Sequence, residues 1–433
     1  MIDPNTSVLI VGAGTFGLST AVQLLRKGHK NVTLLDPYEV PSPLSAGNDV
    51  NKVFQSTVES EFYSELALEA LEMWRTDPLY KPAFHEVGII YGACGDAMVP
   101  ELEKRLKLLE KNNADFVKLD TPEDYAKYVK SPNCTIEDEL KAVNLDGRFK
   151  NWKGYYQKTM CGWTYAALAL QNAANECKKN GAKFLVGAAQ GVNFDEDGTC
   201  RGVTTEDGEI IKADITVICA GANSGKLLDF GGQLLAKCWT VGHIQLTEKE
   251  AKSLKELPVI LNLDQGFLFE PDVNNELKFC NEFPGYINMI EEKKTSIPVY
   301  RNKIPVEAEK QMRGFLRQVF PSFAERPFSV TTICWCTDTP DRHFLFSEHP
   351  DHKGLVLGTG DSGQGFKYMP NVGKYISQII LEGNKSLPEE KLKAWSWRKE
   401  QAEDRDIGAL QGRFGGSNIL KDLKDIEEWT EAK

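Results

Sequence analysis

No feature constrains this chain's fold as much as the apolar run Val8–Val11 (VLIV) leading into Gly12-Ala13-Gly14-Thr15-Phe16-Gly17. Four consecutive apolar residues suit a parallel strand buried on both faces. A helical pattern follows, with Leu18, Ala21, Val22, Leu24 and Leu25 on one side and Gly28 as its stop. A second strand over Val32–Leu35 ends at Asp36, 24 residues after Gly12. In this β-turn-α-β setting Gly12 permits a tight turn, Gly14 lets backbone approach a pyrophosphate, and Gly17 packs helix on strand. Thr15 and Phe16 open the helix, whose N-terminal N–H groups favour an anion, and the Asp36 carboxylate suits ribose hydroxyls. The motif predicts a dinucleotide site without choosing between NAD and FAD.

At 433 residues the chain exceeds one ordinary core, and 41% hydrophobic content can fill a large one. No run approaches about 18 apolar residues, so no membrane partner is expected. Val8–Val11 is too short for the apolar stretch of a signal peptide. A net charge of −11 with no basic block argues against nucleic-acid partners. Ten cysteines lie scattered without framework spacing, so reduced, buried thiols in an intracellular protein are expected, cytoplasmic or peroxisomal. Glu431-Ala432-Lys433 stops one residue short of an Ala-Lys-Leu ending that would resemble a peroxisomal address.

Further along, helices are expected over Glu59–Trp74, Glu101–Lys111, Trp163–Lys179 and near Val372–Leu381, with surface loops over 112–150. Residues 182–221 read as strands, with Asp207-Gly208 as a hairpin turn and Ile215–Ala220 as a buried strand. Apolar–polar alternation over 236–335 suggests a second, more antiparallel sheet. Glycines recur in GTGDSGQGFK (358–367), where backbone either approaches something flat or anionic or simply needs positive φ angles. No linker separates the halves, so the second domain is expected as an insertion.

Cys334 and Cys336 flank Trp335 on an expected strand, ICWCTDTPDRH. On a strand they face the same way, with Cα atoms about 6.5 Å apart and parallel Cβ vectors, which is poor disulfide geometry. No ligand set has zinc spacing, so no metal is expected. Two small core residues, or a thiolate serving as nucleophile or attachment point, remain open.

The stretches SAGNDVNK (45–52), GHIQLTEKEA (242–251), GFLFEPD (266–272), KFCNEFPG (278–285), CWCTDT (334–339) and GDSGQGFKYMPNVGK (360–374) span the chain in order. With them the sequence resembles the monomeric sarcosine oxidase family, and within it the fungal fructosyl amino acid oxidases (amadoriases). The resemblance implies an α/β, Rossmann-like FAD-binding domain over 1–84, 152–235 and 330–433. It also implies an inserted α+β substrate domain with a largely antiparallel sheet over 85–151 and 236–329, the C-terminal segment contacting substrate. It implies FAD attached covalently through Cys334, with Cys336 on the same face where sarcosine oxidases carry a tyrosine. Ser45, Lys52, Asp361 and Lys367 join the cofactor positions. Lys278, which pattern alone reads as an exposed strand lysine, resembles the residue that promotes oxygen reduction. Glu282 and Arg413 resemble the pair holding the amino-acid portion of the substrate, and Lys367 the sugar end. The implied reaction oxidises a glycated amino acid with O2, releasing amino acid, glucosone and hydrogen peroxide, in a monomer. Oxidation of another secondary amine, such as sarcosine, pipecolate or saccharopine, is the alternative. Gln364 stands where the pattern has histidine, and Asn223 where it has tryptophan.

Overall fold

The computed structural model describes residues 2–58, 60–96, 98–129, 148–281, 285–293, 295–403, 405 and 420–431. Two large sheets organise them. The first has six strands, in the order Leu345–Glu348, Leu355–Thr359, Ile215–Ile218, Val8–Val11 (β1), Val32–Asp36 (β2) and Lys183–Val186. All its pairings are parallel except the first, Leu345–Glu348 with Leu355–Thr359. β1 sits inside it, and all four of its residues are buried, as its unbroken apolar run requires.

Helix α1 (Thr15–Arg26) follows β1 and buries Leu18, Ala21, Val22 and Leu24. Burying side chains such as Leu18 and Leu24 contributes about 1.5–3 kcal/mol each in transfer free energy. The helix crosses Met369–Glu382 closely, for a Cβ on Gly373 would lie 2.1 Å from the Ser19 carbonyl oxygen. At that crossing the Gly373 N–H donates to Ser19 Oγ (2.9 Å), and Ser19 Oγ donates to the Met369 carbonyl. Small residues at the crossing let the two backbones meet.

The second sheet has ten strands and is antiparallel except where Val259–Asn262 runs beside Ile89–Ala93 and Tyr286–Ile287 beside Lys421–Asp422. Its longest ladder joins Leu235–Gln245 to Val330–Asp338, placing Trp239 opposite Cys334 and Lys237 opposite Cys336. The cysteine strand therefore hydrogen-bonds within the larger sheet. Glu276–Asn281 pairs with the other side of Leu235–Gln245, setting Lys278 against His243.

The structure corrects several local expectations. Residues 112–150 hold a strand, Phe116–Leu119, and a helix, Pro122–Tyr128, before the undescribed stretch 130–147. That helix starts with a capping box between Thr121 and Asp124, legible as Thr-x-x-Asp. Expected helix Trp163–Lys179 divides into a strand, Cys161–Thr164, and a helix, Ala166–Lys179. Gly162 allows the split. Its φ is +153°, and a Cβ there would lie 2.1 Å from the His85 carbonyl oxygen, so the strand pairs tightly with Phe84–His85. Expected helix Glu59–Trp74 runs over Glu61–Thr76, capped by Ser60. Among the described residues no helix is long and apolar enough to cross a membrane.

Candidate active site

The glycine turn between β1 and α1 divides its labour. Gly12 has φ +106°, and a Cβ on it would strike the Cys219 carbonyl oxygen at 2.4 Å. Gly17 faces inward, where a Cβ would meet the Gly12 carbonyl oxygen at 1.9 Å. Gly14 meets only Ser45 Oγ, at 3.4 Å, and faces a cavity of about 590 Å³. No side chain caps α1, and no acidic residue occupies its first turn. At the tip of β2 the Asp36 carboxylate accepts N–H bonds from Ala13 (2.9 Å) and Tyr38 (3.2 Å). Burial raises its pKa from the ordinary value, against the pull of those N–H groups.

Every position expected to hold the cofactor lines this one cavity, except Gly17, which is packed beneath it. Lys278 and Lys367 line it as well. A helix start free of acidic side chains, a carboxylate at the neighbouring strand tip and a Gly14 without Cβ together fit a dinucleotide. Glu282 and Arg413 lie outside the described residues. Among the described residues no cluster of His, Cys, Asp or Glu could hold a metal.

A compact charged group stands in the cavity wall. Lys278 is 2% exposed, and its Nζ donates to Asp49 Oδ2 at 2.6 Å and to the Asn51 carbonyl at 2.9 Å. Lys52 Nζ donates to the same Asp49 oxygen at 2.7 Å and lies 3.8 Å from Cys334 Sγ. Asp49 is pulled in two directions: burial raises its pKa, and Lys278 and Lys52 outweigh burial, holding it far below the usual carboxylate range. Lys52 is pushed well above its ordinary value, with burial opposing and Asp49 prevailing. Burial pushes the nearby Cys280 thiol up to about 12, against the two lysines. Cys336 is 6% exposed, with its Sγ 3.8 Å from Asp338 Oδ1. Neither strand cysteine is part of a disulfide.

The C-terminal glycine run has the positive φ angles that one of its two alternative readings called for. Gly360 and Gly363 have φ of +72° and +67°, and the turn lines the cavity. Asp361 holds that turn, accepting N–H bonds from Thr337 (2.9 Å) and Gly363 (3.1 Å). Gln364 Nε2 donates to the Arg342 carbonyl (3.3 Å), and Asn223 Nδ2 to the Tyr300 hydroxyl (2.9 Å).

Two residues of the cavity wall were missed from the sequence. Asp49 stood inside SAGNDVNK without a role. Arg105 lies within the expected helix Glu101–Lys111, also without a role, yet it is 3% exposed. Its guanidinium donates to the Thr57 carbonyl (2.9 Å) and to Gln55 Oε1, and its carbon lies 4.3 Å from the Tyr91 ring centre. A signal existed: Leu102, Arg105 and Leu109 share the buried stripe of helix Val99–Lys111.

The family described as FAD dependent oxidoreductase matches residues 7–379. L-saccharopine oxidase of Schizosaccharomyces pombe is 32% identical over 98% of this chain and 99% of that protein. Monomeric sarcosine oxidase of a Bacillus species is 25% identical, covering 87% of this chain and 92% of its own. Among solved structures, the deglycating fructosamine oxidase Amadoriase II of Aspergillus fumigatus, in complex with FSA, superposes with a TM-score of 0.92. Its identity is 39%, covering 100% of this chain and 99% of that one. Amadoriase I of the same fungus, a fructosyl amine:oxygen oxidoreductase, is 37% identical over the same shares, with a TM-score of 0.90.

Proposed function

We propose that this chain, which belongs to the FAD dependent oxidoreductase family and groups with its amadoriases, oxidises the secondary amine of fructosyl amino acids with O2. The resulting imine is hydrolysed by water, so that the products are free amino acid, glucosone and hydrogen peroxide. The observation that carries the reading is the Lys278–Asp49–Lys52–Cys334 group in the wall of the cavity that the glycine turn also lines.

FAD, when bound, supplies the acceptor for a hydride from the carbon beside the amine nitrogen and hands the electrons to O2. The glycine turn and the N-terminus of α1 hold its pyrophosphate, and Asp36 its ribose. Cys334 is the covalent attachment point, and the ammonium of Lys52 stands 3.8 Å from its sulfur. Lys278 serves oxygen. Two of its three N–H bonds go to Asp49 and Asn51, which leaves one for the cavity. Reducing O2 by one electron creates an anion, and a fixed ammonium in a water-poor wall stabilises it.

Glu282 accepts the amine N–H, and Arg413 grips a carboxylate with two parallel hydrogen bonds. Lys367 takes the sugar end. Arg105, stacked on Tyr91, gives the cavity a second fixed cation for an anionic substrate end. The five segments 1–84, 85–151, 152–235, 236–329 and 330–433 divide the chain between cofactor and substrate domains, and the protein acts as a monomer.

A second reading, oxidation of saccharopine, is favoured by the 32% identity to a saccharopine oxidase over nearly the whole chain. Saccharopine is also a secondary amine, and it carries more carboxylates for Arg105 and Arg413. Peroxide release from fructosyl valine, fructosyl lysine and saccharopine separates the readings. Turnover of a fructosyl amino acid is expected; peroxide from saccharopine alone would replace the first reading with the second. Peroxide from none would end both.

A further inference from the structure

Two ammonium groups converge on one carboxylate oxygen here, and they come from different parts of the fold. Lys278 stands on a strand of the ten-stranded sheet. Lys52 begins Lys52–Gln55, a strand of a separate three-stranded sheet. Asp49 lies in the loop before Lys52, and its Oδ2 accepts from both, at 2.6 Å and 2.7 Å. Its backbone is anchored independently. The Ala167 N–H donates to the Asp49 carbonyl at 2.9 Å, and the Asp49 N–H donates to the Gly47 carbonyl at 3.0 Å. The backbone that carries the carboxylate is thus anchored by bonds that do not involve the lysines.

Without that negative charge, two ammonium groups would face each other in a wall where Lys278 is 2% exposed. Like charges held so close, with no counter-charge, separate or shed a proton. Asn51's carbonyl would keep one hydrogen bond to Lys278. The phenyl ring of Phe269, 5.2 Å from Nζ, offers only its face. Lys52 would lose the partner that keeps it beside Cys334 Sγ.

We infer that Asp49 is the positioning residue of this site, holding Lys278 toward oxygen and Lys52 toward the Cys334 thiol through one shared oxygen. The inference rests on the oxidase reading for the roles of those two lysines. Asp49 acts through the two lysines, coupling cofactor attachment to oxygen reactivity by fixing two cations at once.

The test is a set of double-mutant cycles on the flavin-loaded enzyme. Asp49→Asn keeps shape and backbone anchors while removing the charge. It should slow reoxidation of the reduced enzyme by O2 on the order of 10-fold, as expected for coupled contact pairs. Reduction by substrate should change far less. In a Lys278→Met background Asp49→Asn should slow reoxidation no further, because its effect passes through Lys278. The fraction of flavin that stays with acid-precipitated protein, a readout independent of turnover, should fall in Asp49→Asn. It should fall no further when Asp49→Asn is added to Lys52→Met. Asp49→Glu retains the charge and should restore part of both, which keeps the proposal testable if Asp49→Asn folds poorly. Additive effects in both cycles, or an Asp49→Asn enzyme that reoxidises like the parent, would overturn the assignment of Asp49 alone. If Lys278→Met itself left reoxidation unchanged, the oxygen role of Lys278 would fall, and with it the oxygen half of this inference.

Discussion

Alanine at Gly14 and alanine at Gly17 should damage this protein in different ways, because one glycine faces the cavity and the other faces β1. A Cβ on Gly17 would lie 1.9 Å from the Gly12 carbonyl oxygen and 3.2 Å from Ile10 Cγ2. Unstrained contact begins near 3.5 Å, so α1 would have to lift off its strand by roughly 1.5 Å. Side-chain overpacking costs about 1–3 kcal/mol, and lifting a whole helix belongs at or above the top of that range. Unfolding entropy of about 2.1 cal/mol/K per residue, over 433 residues, makes 1 kcal/mol equivalent to about 1 °C in Tm. Gly17→Ala should therefore lower the Tm of the flavin-free protein by about 3 °C or more. A Cβ on Gly14 meets only Ser45 Oγ at 3.4 Å, with φ at −90°. Gly14→Ala should leave that Tm within about 1 °C, since Gly-to-Ala changes at compatible angles are nearly neutral. It should instead weaken FAD at least about tenfold, the equivalent of one charge-assisted hydrogen bond to the pyrophosphate. The assay uses a Cys334→Ser background stripped of flavin, with thermal unfolding followed by circular dichroism and FAD titrated by fluorescence quenching. The same Tm for Gly17→Ala and its parent, or full FAD affinity in Gly14→Ala, would refute this division of roles.

Cys334→Ser should still bind FAD but release it into the supernatant on acid precipitation, whereas parental flavin should stay with the pellet; retention in the variant would move the attachment elsewhere. Arg105→Met should lower kcat/KM about 10–100-fold for substrates with a free carboxylate, chiefly through KM. A decarboxylated fructosyl amine should be nearly indifferent to it, and equal losses on both would remove Arg105 from recognition. Glu250 tests acid stability. The Arg326 guanidinium beside it, ahead of the opposing burial, holds it down to about 2 from an ordinary 4.5. A depressed folded pKa contributes stability that is complete above about pH 4.5 and fades as pH falls toward 2. Glu250→Gln should therefore unfold more easily than the parent at pH 6 and match it near pH 2, in denaturant titrations at each pH. A constant gap across that range would contradict the pairing.

Much of the architecture was legible because it is local. A four-residue apolar run, three spaced glycines and a carboxylate at the next strand end describe β1, α1 and β2 with little room for another answer. Alternation over 236–335 foretold a mostly antiparallel second sheet for the same reason, since side chains alternate faces with period two. Local reading failed where one residue's freedom changed the outcome. Gly162 let Cys161–Thr164 extend against Phe84–His85, where a helical pattern had been read from Trp163 onward.

The charged group in the cavity wall shows the opposite limit. Lys278 reads as a surface lysine within its strand, and Arg105 as one more charge on a polar helix. Each is buried by a distant segment: Lys278 by the loop carrying Asp49, 229 residues earlier, and Arg105 by Gln55 and Thr57, 50 and 48 residues earlier. The sequence by itself determined where the dinucleotide turn forms and which chemistry-bearing residues were available. Which cation meets which carboxylate was decided only when the N-terminal loop closed over the ten-stranded sheet. Backbone periodicity acts over a few residues, while the burial that makes an ion pair matter depends on what packs against it from elsewhere in the chain.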